Sequence, residues 1–277
     1  MTDVGVRVSE EWLALREPAD AAARSTDLVR EVRTGLLAGP LAVVHDLGSG
    51  TGSMVRWLAP MLDGPQHWVL HDRDEHLLAG AVVDPPAAAD GSVVTVEERQ
   101  GDVTRLRPDD LAGATLVTAS ALLDMLTAEE LDRLVRLCVA TGCPALMTLS
   151  VIGRVELSPA DPLDDVLGAA FDDHQRRTAG GRTLLGPDAV GVAVEMFRTL
   201  GTEVTTRPSP WRLGPRSRHL VAEWLDGWVG AACGQRPELA ESSVGYLARR
   251  AADVEEGRLH VVVHHLDVLA RPQGGSR

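Results

Sequence analysis

The strongest constraint on this chain is the junction VVHDLGSGTGS at 43–53, where an apolar run passes directly into glycines and then into a helical pattern. LAVVHDL (41–47) has adjacent valines at its centre and reads as a buried strand. Gly48, Gly50 and Gly52 follow. Met54, Trp57, Leu58, Met61 and Leu62 then recur at helical spacing, with Pro60 set to kink or end the helix. A strand, a glycine turn and a helix start together make a ligand-binding edge. Small residues let a ligand approach the backbone, and the first amides of the helix have no partner within it. The spacing tells against a dinucleotide. In GxGxxG the third glycine would fall at Ser53, but here it comes one residue earlier, at Gly52.

Strands and helices alternate on both sides of this junction. HWVLHD (67–72), VVTVEERQGD (93–102), ATLVTASALL (114–123) and PALMTLSVI (144–152) read as four more strands. EHLLAGAVV (75–83) is a helix between the first pair. Thr127 and Glu130 form a capping box ahead of Leu131, Leu134, Val135 and Cys138. Such alternation predicts βαβ units and a parallel sheet. Residues 9–37 read as helix with one break at Pro18. Beyond 153 the pattern loosens into a loop, a short helix and a loop up to 186. A helix opens at Pro187 and stops at Gly201, TEVTTRPSPWRL (202–213) is a sixth strand, 216–256 is helical, and RLHVVVHHLDVLARP (258–272) is the last strand. The expected organisation is a helical cap over 1–40, one α/β domain over 41–272 with inserts at 153–186 and 216–256, and a frayed tail at 273–277.

Composition narrows the chemistry. Of 277 residues, 27 are basic and 40 acidic, giving a net charge of −13, and every basic residue is Arg. Without Lys there is no Schiff-base chemistry and no Walker A loop. The acidity argues against a nucleic-acid backbone as partner. Cys138, Cys143 and Cys233 form no CxxC pair, which fits a reducing compartment. No signal peptide or membrane span is legible, so a cytoplasmic protein with a small-molecule substrate is expected, as monomer or homodimer.

Asp46, two residues before Gly48, completes a (D/E)xGxGxG pattern. This resembles motif I of the class I S-adenosylmethionine (SAM) dependent methyltransferases. Asp72 at the end of the second strand, Gly101-Asp102 after the third and ASALLDML after the fourth follow in the family's order, so the resemblance spans about 41–150. It implies a seven-stranded, mostly parallel doubly wound sheet, with SAM as cofactor and S-adenosylhomocysteine as product. Gly48, Ser49, Gly50 and Gly52 would then cradle the cofactor. Asp46 would lie near its methionine amino end, or else cap the glycine loop from below. Asp72 with Arg73 would take the ribose diol, Asp102 with Val103 the adenine, and Ser120 would line the methyl-transfer site beside Asp124. The Asn-Pro-Pro-aromatic signature of amide and adenine methylation enzymes is absent, because the chain has no Asn.

Acceptor-side candidates come from three polar clusters. FDDHQRR (171–177) offers His174 as a base or hydrogen-bond partner, with Asp173, Arg176 and Arg177 as substrate contacts, or else a solvated helix end. WLALREPADAAAR (12–24) offers Arg16 and Arg24, or else a surface helix with ion pairs. SPWRLGPR (209–216) offers Trp211 and Arg212 as pocket residues, or else core packing for the tryptophan. No metal is expected, since His264 and His265 are adjacent and point to opposite faces of a strand. Two alternatives stay open: a SAM-binding protein that does not methylate, and a nicotinamide-dependent oxidoreductase.

Overall fold

A computed structural model describes residues 8–36, 40–81 and 84–273. Among the described residues there are ten strands: β1 Ala42–Leu47, β2 Gln66–Asp72, β3 Val94–Gln100, β4 Leu116–Ser120, β5 Ala145–Ser158, β6 Thr178–Ala179, β7 Arg182–Thr183, β8 Thr202–Pro208, β9 Trp211–Leu213 and β10 His260–Pro272. The helices are α1 Glu10–Ala23, α2 Thr26–Leu36, α3 Ser53–Leu58, α4 Glu75–Ala79, α5 Ala128–Thr141, α6 Asp164–Gln175, α7 Ala189–Thr199, α8 Arg218–Gln235 and α9 Ala240–Glu255. Eight strands form one sheet in the order β3-β2-β1-β4-β5-β10-β8, with β9 also pairing β10; β6 and β7 form a separate hairpin. β10 runs against β5, β8 and β9, and the strands from β1 to β5 pair in parallel. The order reverses between β1 and β4, which opens a crevice at the carboxyl ends of those two strands.

Alternation along the strands sets up two cores. Val44, Leu70, Leu116, Leu146 and Leu269 pack with Leu28, Val29 and Val32 of α2 and Met54, Val55 and Leu58 of α3. On the other face Leu47, Val117, Ala119, Met147 and Val268 pack with Leu131, Leu134 and Val135 of α5 and Val190, Val194 and Phe197 of α7. A third core sits beyond the sheet's body. There β5 and β10 run on, joined by β9, as a three-stranded extension, and Val261 and Val263 pack in one cluster with Leu167 of α6 and Trp224 and Trp228 of α8. Arg250 of α9 is 2% exposed; it donates to both oxygens of Asp164 at 2.6 and 2.7 Å and to the Pro159 carbonyl at 2.7 Å, tying α9 to α6.

Several expected boundaries move. Pro18 lies inside α1, and the break comes at Arg24–Ser25, where the Ser25 amide is diverted to the Asp267 carboxylate at 2.8 Å. The stretch 153–158 is strand, because β5 continues pairing with β10 as far as Ser158–His260. The expected sixth strand is two, β8 and β9, separated at Ser209-Pro210, so the sheet has eight strands rather than seven. The fourth strand stops at Ser120, since Ala121 turns to φ +50°. The helix expected over 75–83 stops at Ala79; Val82, Val83 and 274–277 lie outside the described residues.

Candidate functional site

The glycine loop is fixed by the next strand. Gly48, Gly50 and Gly52 have φ of +67°, +53° and +77°, conformations that L side chains resist. The amides of Gly48 and Ser49 both donate to the His71 carbonyl, at 2.8 and 3.0 Å. The Gly50 amide donates to Oδ2 of Asp72 at 2.8 Å, and the Asp74 amide to Oδ1 at 3.0 Å. Asp72 therefore shapes the loop, and each of its oxygens keeps a second lone pair. A Cβ at Gly48 would stand 3.0 Å from Leu122 Cδ1, and one at Gly50 3.2 Å from Leu13 Cδ1. Leu122, from the turn after β4, and Leu13, from α1, thus close over the loop.

Helix α1 is tied down at both ends of this crevice. Arg56 of α3 grips Glu17 with two bonds, at 2.6 and 2.7 Å, and donates to the carbonyls of Thr51 and Ala81. Arg24 is 3% exposed and lies over the Trp57 ring at 5.4 Å. Its Nη2 donates to Ser53 Oγ and Ser120 Oγ, each at 3.0 Å. Asp46 is buried beneath the loop and accepts from Thr118 Oγ1 at 2.6 Å. Burial pushes its carboxyl up to about 7, while Thr118 and the nearby Arg24 pull the other way. Asp267 accepts from the amides of Ser25 and Leu149 and from Ser209 Oγ. Leu149, within β5, has φ +55° and Ala121, just after β4, has +50°, so strained backbone lies in β5 and at the end of β4.

Some buried polar atoms beside this crevice lack a partner. Buried donors and acceptors are normally paired. Among the described residues, nine buried side-chain atoms have no partner: Arg24 Nε and Nη1, Ser49 Oγ, Thr148 Oγ1 and His265 Nδ1, together with Ser150 Oγ, Trp228 Nε1, Arg250 Nε and Arg271 Nε. Ser49 sits in the glycine loop, Thr148 pairs with Ser120 across β4 and β5, and His265 is on β10 under α1. Glycines whose Cβ positions are filled, a strand-end carboxylate on the loop, and unpaired buried donors suit a polar cofactor that carries a diol and both charges.

The candidates from sequence divide into two groups. Asp46, Gly48, Ser49, Gly50, Gly52, Asp72, Ser120 and Arg24 converge on the crevice. Asp102 lies farther along the carboxyl edge and is exposed; burial raises its carboxyl, but the hydroxyl and amide of Thr104 outweigh this and lower it. Val103 packs beside the α5 core, and the Arg73 side chain is exposed. Around the α1 side, Arg16 pairs with Asp20 at 2.9 Å and lies over the Trp211 ring at 5.0 Å. Trp211 donates to Asp20 at 2.9 Å and meets His265 edge-on. Asp124 accepts from Gln175 at 3.4 Å, and burial pushes its carboxyl up to about 6 against the charges of Arg16 and Arg177. His174 is half-buried, its pKa lowered by burial and by Arg177, whose Nη1 donates to the His174 carbonyl. Asp173, Arg176 and Arg212 are not brought to this place. Asp173 pairs with Arg236, Arg176 pairs with Asp188, and Arg212 is exposed on β9.

Thr118, Thr148 and Asp267 are candidate site residues the sequence pattern did not single out, whereas Asp20 falls in the 12–24 cluster already weighed as a substrate-contacting element. Asp267 carried a signal, as the one acid within the apolar run HVVVHHLDVL. His264, three residues before Asp267, points outward to Glu156 at 3.0 Å while His265 points inward. Among the described residues, no three His, Cys, Asp or Glu side chains are grouped to hold a metal, and no helix is long and apolar enough to cross a membrane.

No protein-family model and no curated protein sequence matches the chain. Solved structures do. The cyclopropane synthase MmaA2 from Mycobacterium tuberculosis is 15% identical, with 95% of each chain covered and a TM-score of 0.50. A SAM-dependent methyltransferase from Geobacter sulfurreducens, solved in complex with S-adenosyl-L-homocysteine, is 16% identical over 99% of this chain and 100% of that one, at a TM-score of 0.47. With its parallel sheet, its reversal at β1/β4 and its antiparallel β10, the chain has the class I methyltransferase fold.

Proposed function

We propose that this chain is a SAM-dependent methyltransferase that acts on a small polar metabolite in the cytoplasm and releases S-adenosylhomocysteine. The observation that carries the reading is Asp72: a strand-end carboxylate that shapes the glycine loop through Gly50 while keeping lone pairs for a vicinal diol. The cofactor supplies an electrophilic methyl on a sulfonium. The protein's part is to position and desolvate. Leu13 and Leu122 exclude water from the loop. Asp46 faces the cationic end, and Asp102 is set to accept from the adenine amine. Asp124, raised by burial yet ionised at neutral pH, is placed to take a proton from an O–H or N–H acceptor. We assign Arg16, Trp211, His174 and Arg177 to the acceptor side.

The test is isothermal titration and thermal shift with SAM and S-adenosylhomocysteine, followed by incubation of enzyme and SAM with a metabolite extract. Micromolar-order binding and a metabolite gaining about 14 Da are expected. Absence of both heat and thermal shift overturns the proposal. Binding without any methylated product selects the alternative of a SAM-binding protein with another role.

A further inference from the structure

Arg24 is the buried charge that the fold leaves unanswered. Its side chain is enclosed, and its plane is fixed on Trp57. Only Nη2 is hydrogen-bonded, to two neutral hydroxyls, while Nε and Nη1 have no partner. A guanidinium stays charged even where burial lowers its pKa, so it needs an anion or a full set of acceptors. Asp20, Asp46 and Asp267 are close enough to act on it, yet none pairs with it. Asp20 is held by Arg16 and Trp211, Asp46 by Thr118, and Asp267 by Ser25, Ser209 and Leu149. The fold has therefore left the guanidinium beside the glycine loop without an ion-pair partner.

The setting selects the ligand. Ser53 follows the glycine loop directly, and Ser120 ends β4 beside Thr148, whose hydroxyl is also unpaired. Three carboxylates around Arg24 disfavour a multiply charged anion such as a phosphate. They favour a group that brings one negative charge together with a cation for Asp46. An α-amino-acid zwitterion is that group. Resting on the methyltransferase reading above, we infer that Arg24 receives the α-carboxylate of the cofactor's amino-acid end, while Asp46 faces its ammonium. Arg24 thus belongs with the cofactor residues rather than with the acceptor residues among which the sequence placed it. Because its amide caps α1 on the Asp20 carbonyl, the same contact fastens the end of α1 over the loop.

The experiment removes the carboxylate from the ligand as well as the arginine from the protein. Titrations compare S-adenosylhomocysteine with its decarboxylated analogue on the wild-type chain and on Arg24→Met. The wild type should bind S-adenosylhomocysteine on the order of 10–100-fold more tightly than the analogue. Arg24→Met should bind both alike, at the affinity the wild type shows for the analogue. Equal wild-type affinity for the two ligands overturns the inference without any variant. So does a variant that still discriminates, or one that loses the same factor for both ligands, since that is the mark of a purely structural role. A wild type that binds the analogue but prefers S-adenosylhomocysteine upholds the methyl-donor reading whatever Arg24 does; one that binds neither overturns both.

Discussion

The carboxylate of Asp72 accepts from the Gly50 amide at 2.8 Å, so the end of β2 sets the shape of the loop that follows β1. Its other oxygen holds the Asp74 amide. Asparagine at this position would present an NH2 group to one of these two N–H donors and lose that bond. Asp72→Asn should weaken S-adenosylhomocysteine binding about 10–100-fold, through a distorted loop and a poorer diol acceptor. Calorimetric titration checks this, and unchanged affinity would remove Asp72 from the site.

On the acceptor side the geometry separates residues that sequence had grouped. The charges of Arg16 and Arg177 act on Asp124, whereas Arg176 and Asp173 are spent on surface ion pairs with Asp188 and Arg236. Asp124→Asn should cut kcat by about 100-fold or more if the acceptor must lose a proton. Arg176→Ala should stay within about twofold of wild type and cost at most ~0.5 kcal/mol of stability, as exposed pairs do. Steady-state kinetics on the product found by the metabolite assay distinguishes the two.

Below β1 and β2, His45 Nδ1 and His71 Nε2 are 2.9 Å apart, both rings buried and stacked at 5.2 Å. Burial holds both pKa values down at about 4, with His71 further depressing His45 and Arg99 depressing both. The sign follows from linkage. Between about 4 and the ordinary value of 6.5 the unfolded chain binds protons that the folded chain refuses. The stabilisation is complete above about 6.5 and is lost as pH falls toward 4. Urea melts should show stability dropping by a few kcal/mol, as an order of magnitude, from pH 7 to pH 4.5. His45→Val combined with His71→Val should flatten that slope.

Much of the site was legible because it is local. The strand, the three glycines and Asp46 are contiguous, Asp72 ends β2, and Asp102 follows β3 by two residues. What escaped depends on distant partners. The helix was expected to break at Pro18, yet it breaks at Arg24–Ser25 because Asp267, 242 residues away, takes the Ser25 amide. The extension of β5 was hidden by Gly153, which suggests a turn. Here its φ of +70° serves a bend within a continuing strand, after which Val155 and Leu157 face the third core and Arg154 and Glu156 face out. Arg24 carries no pattern of its own; its meaning comes from Ser53, Ser120 and Trp57, which only the tertiary fold assembles.

The α6–α9 layer has its own weak point. Arg250 answers Asp164 and the Pro159 carbonyl in a buried cluster that also includes Tyr246, whose hydroxyl donates to Asp164 at 2.8 Å. Truncating the arginine leaves that carboxylate without its counter-charge, though still hydrogen-bonded, and opens a cavity beside Tyr246. Arg250→Ala should cost about 3–5 kcal/mol in urea unfolding. Cofactor binding by the folded fraction should change little, because the glycine loop rests on β1, β2 and α1.

Cofactor affinity should itself depend on pH through Asp46. Burial sets its carboxyl at about 7, so near neutrality the free protein holds a mixture of ionised and protonated forms. A ligand whose cationic end faces Asp46 binds the ionised form better and lowers that pKa on binding. By linkage, binding then releases a proton, and affinity rises with pH until Asp46 is fully ionised. S-adenosylhomocysteine affinity measured from pH 6 to pH 8 should increase by about tenfold per pH unit at most below pH 7 and level off above it. Asp46→Asn removes the titrating group, so its affinity should be lower at pH 8 and nearly flat across the range. It also keeps an acceptor for the Thr118 hydroxyl, which separates lost charge from lost structure. A wild-type profile that is flat, or one that falls with rising pH, would place the cationic end away from Asp46.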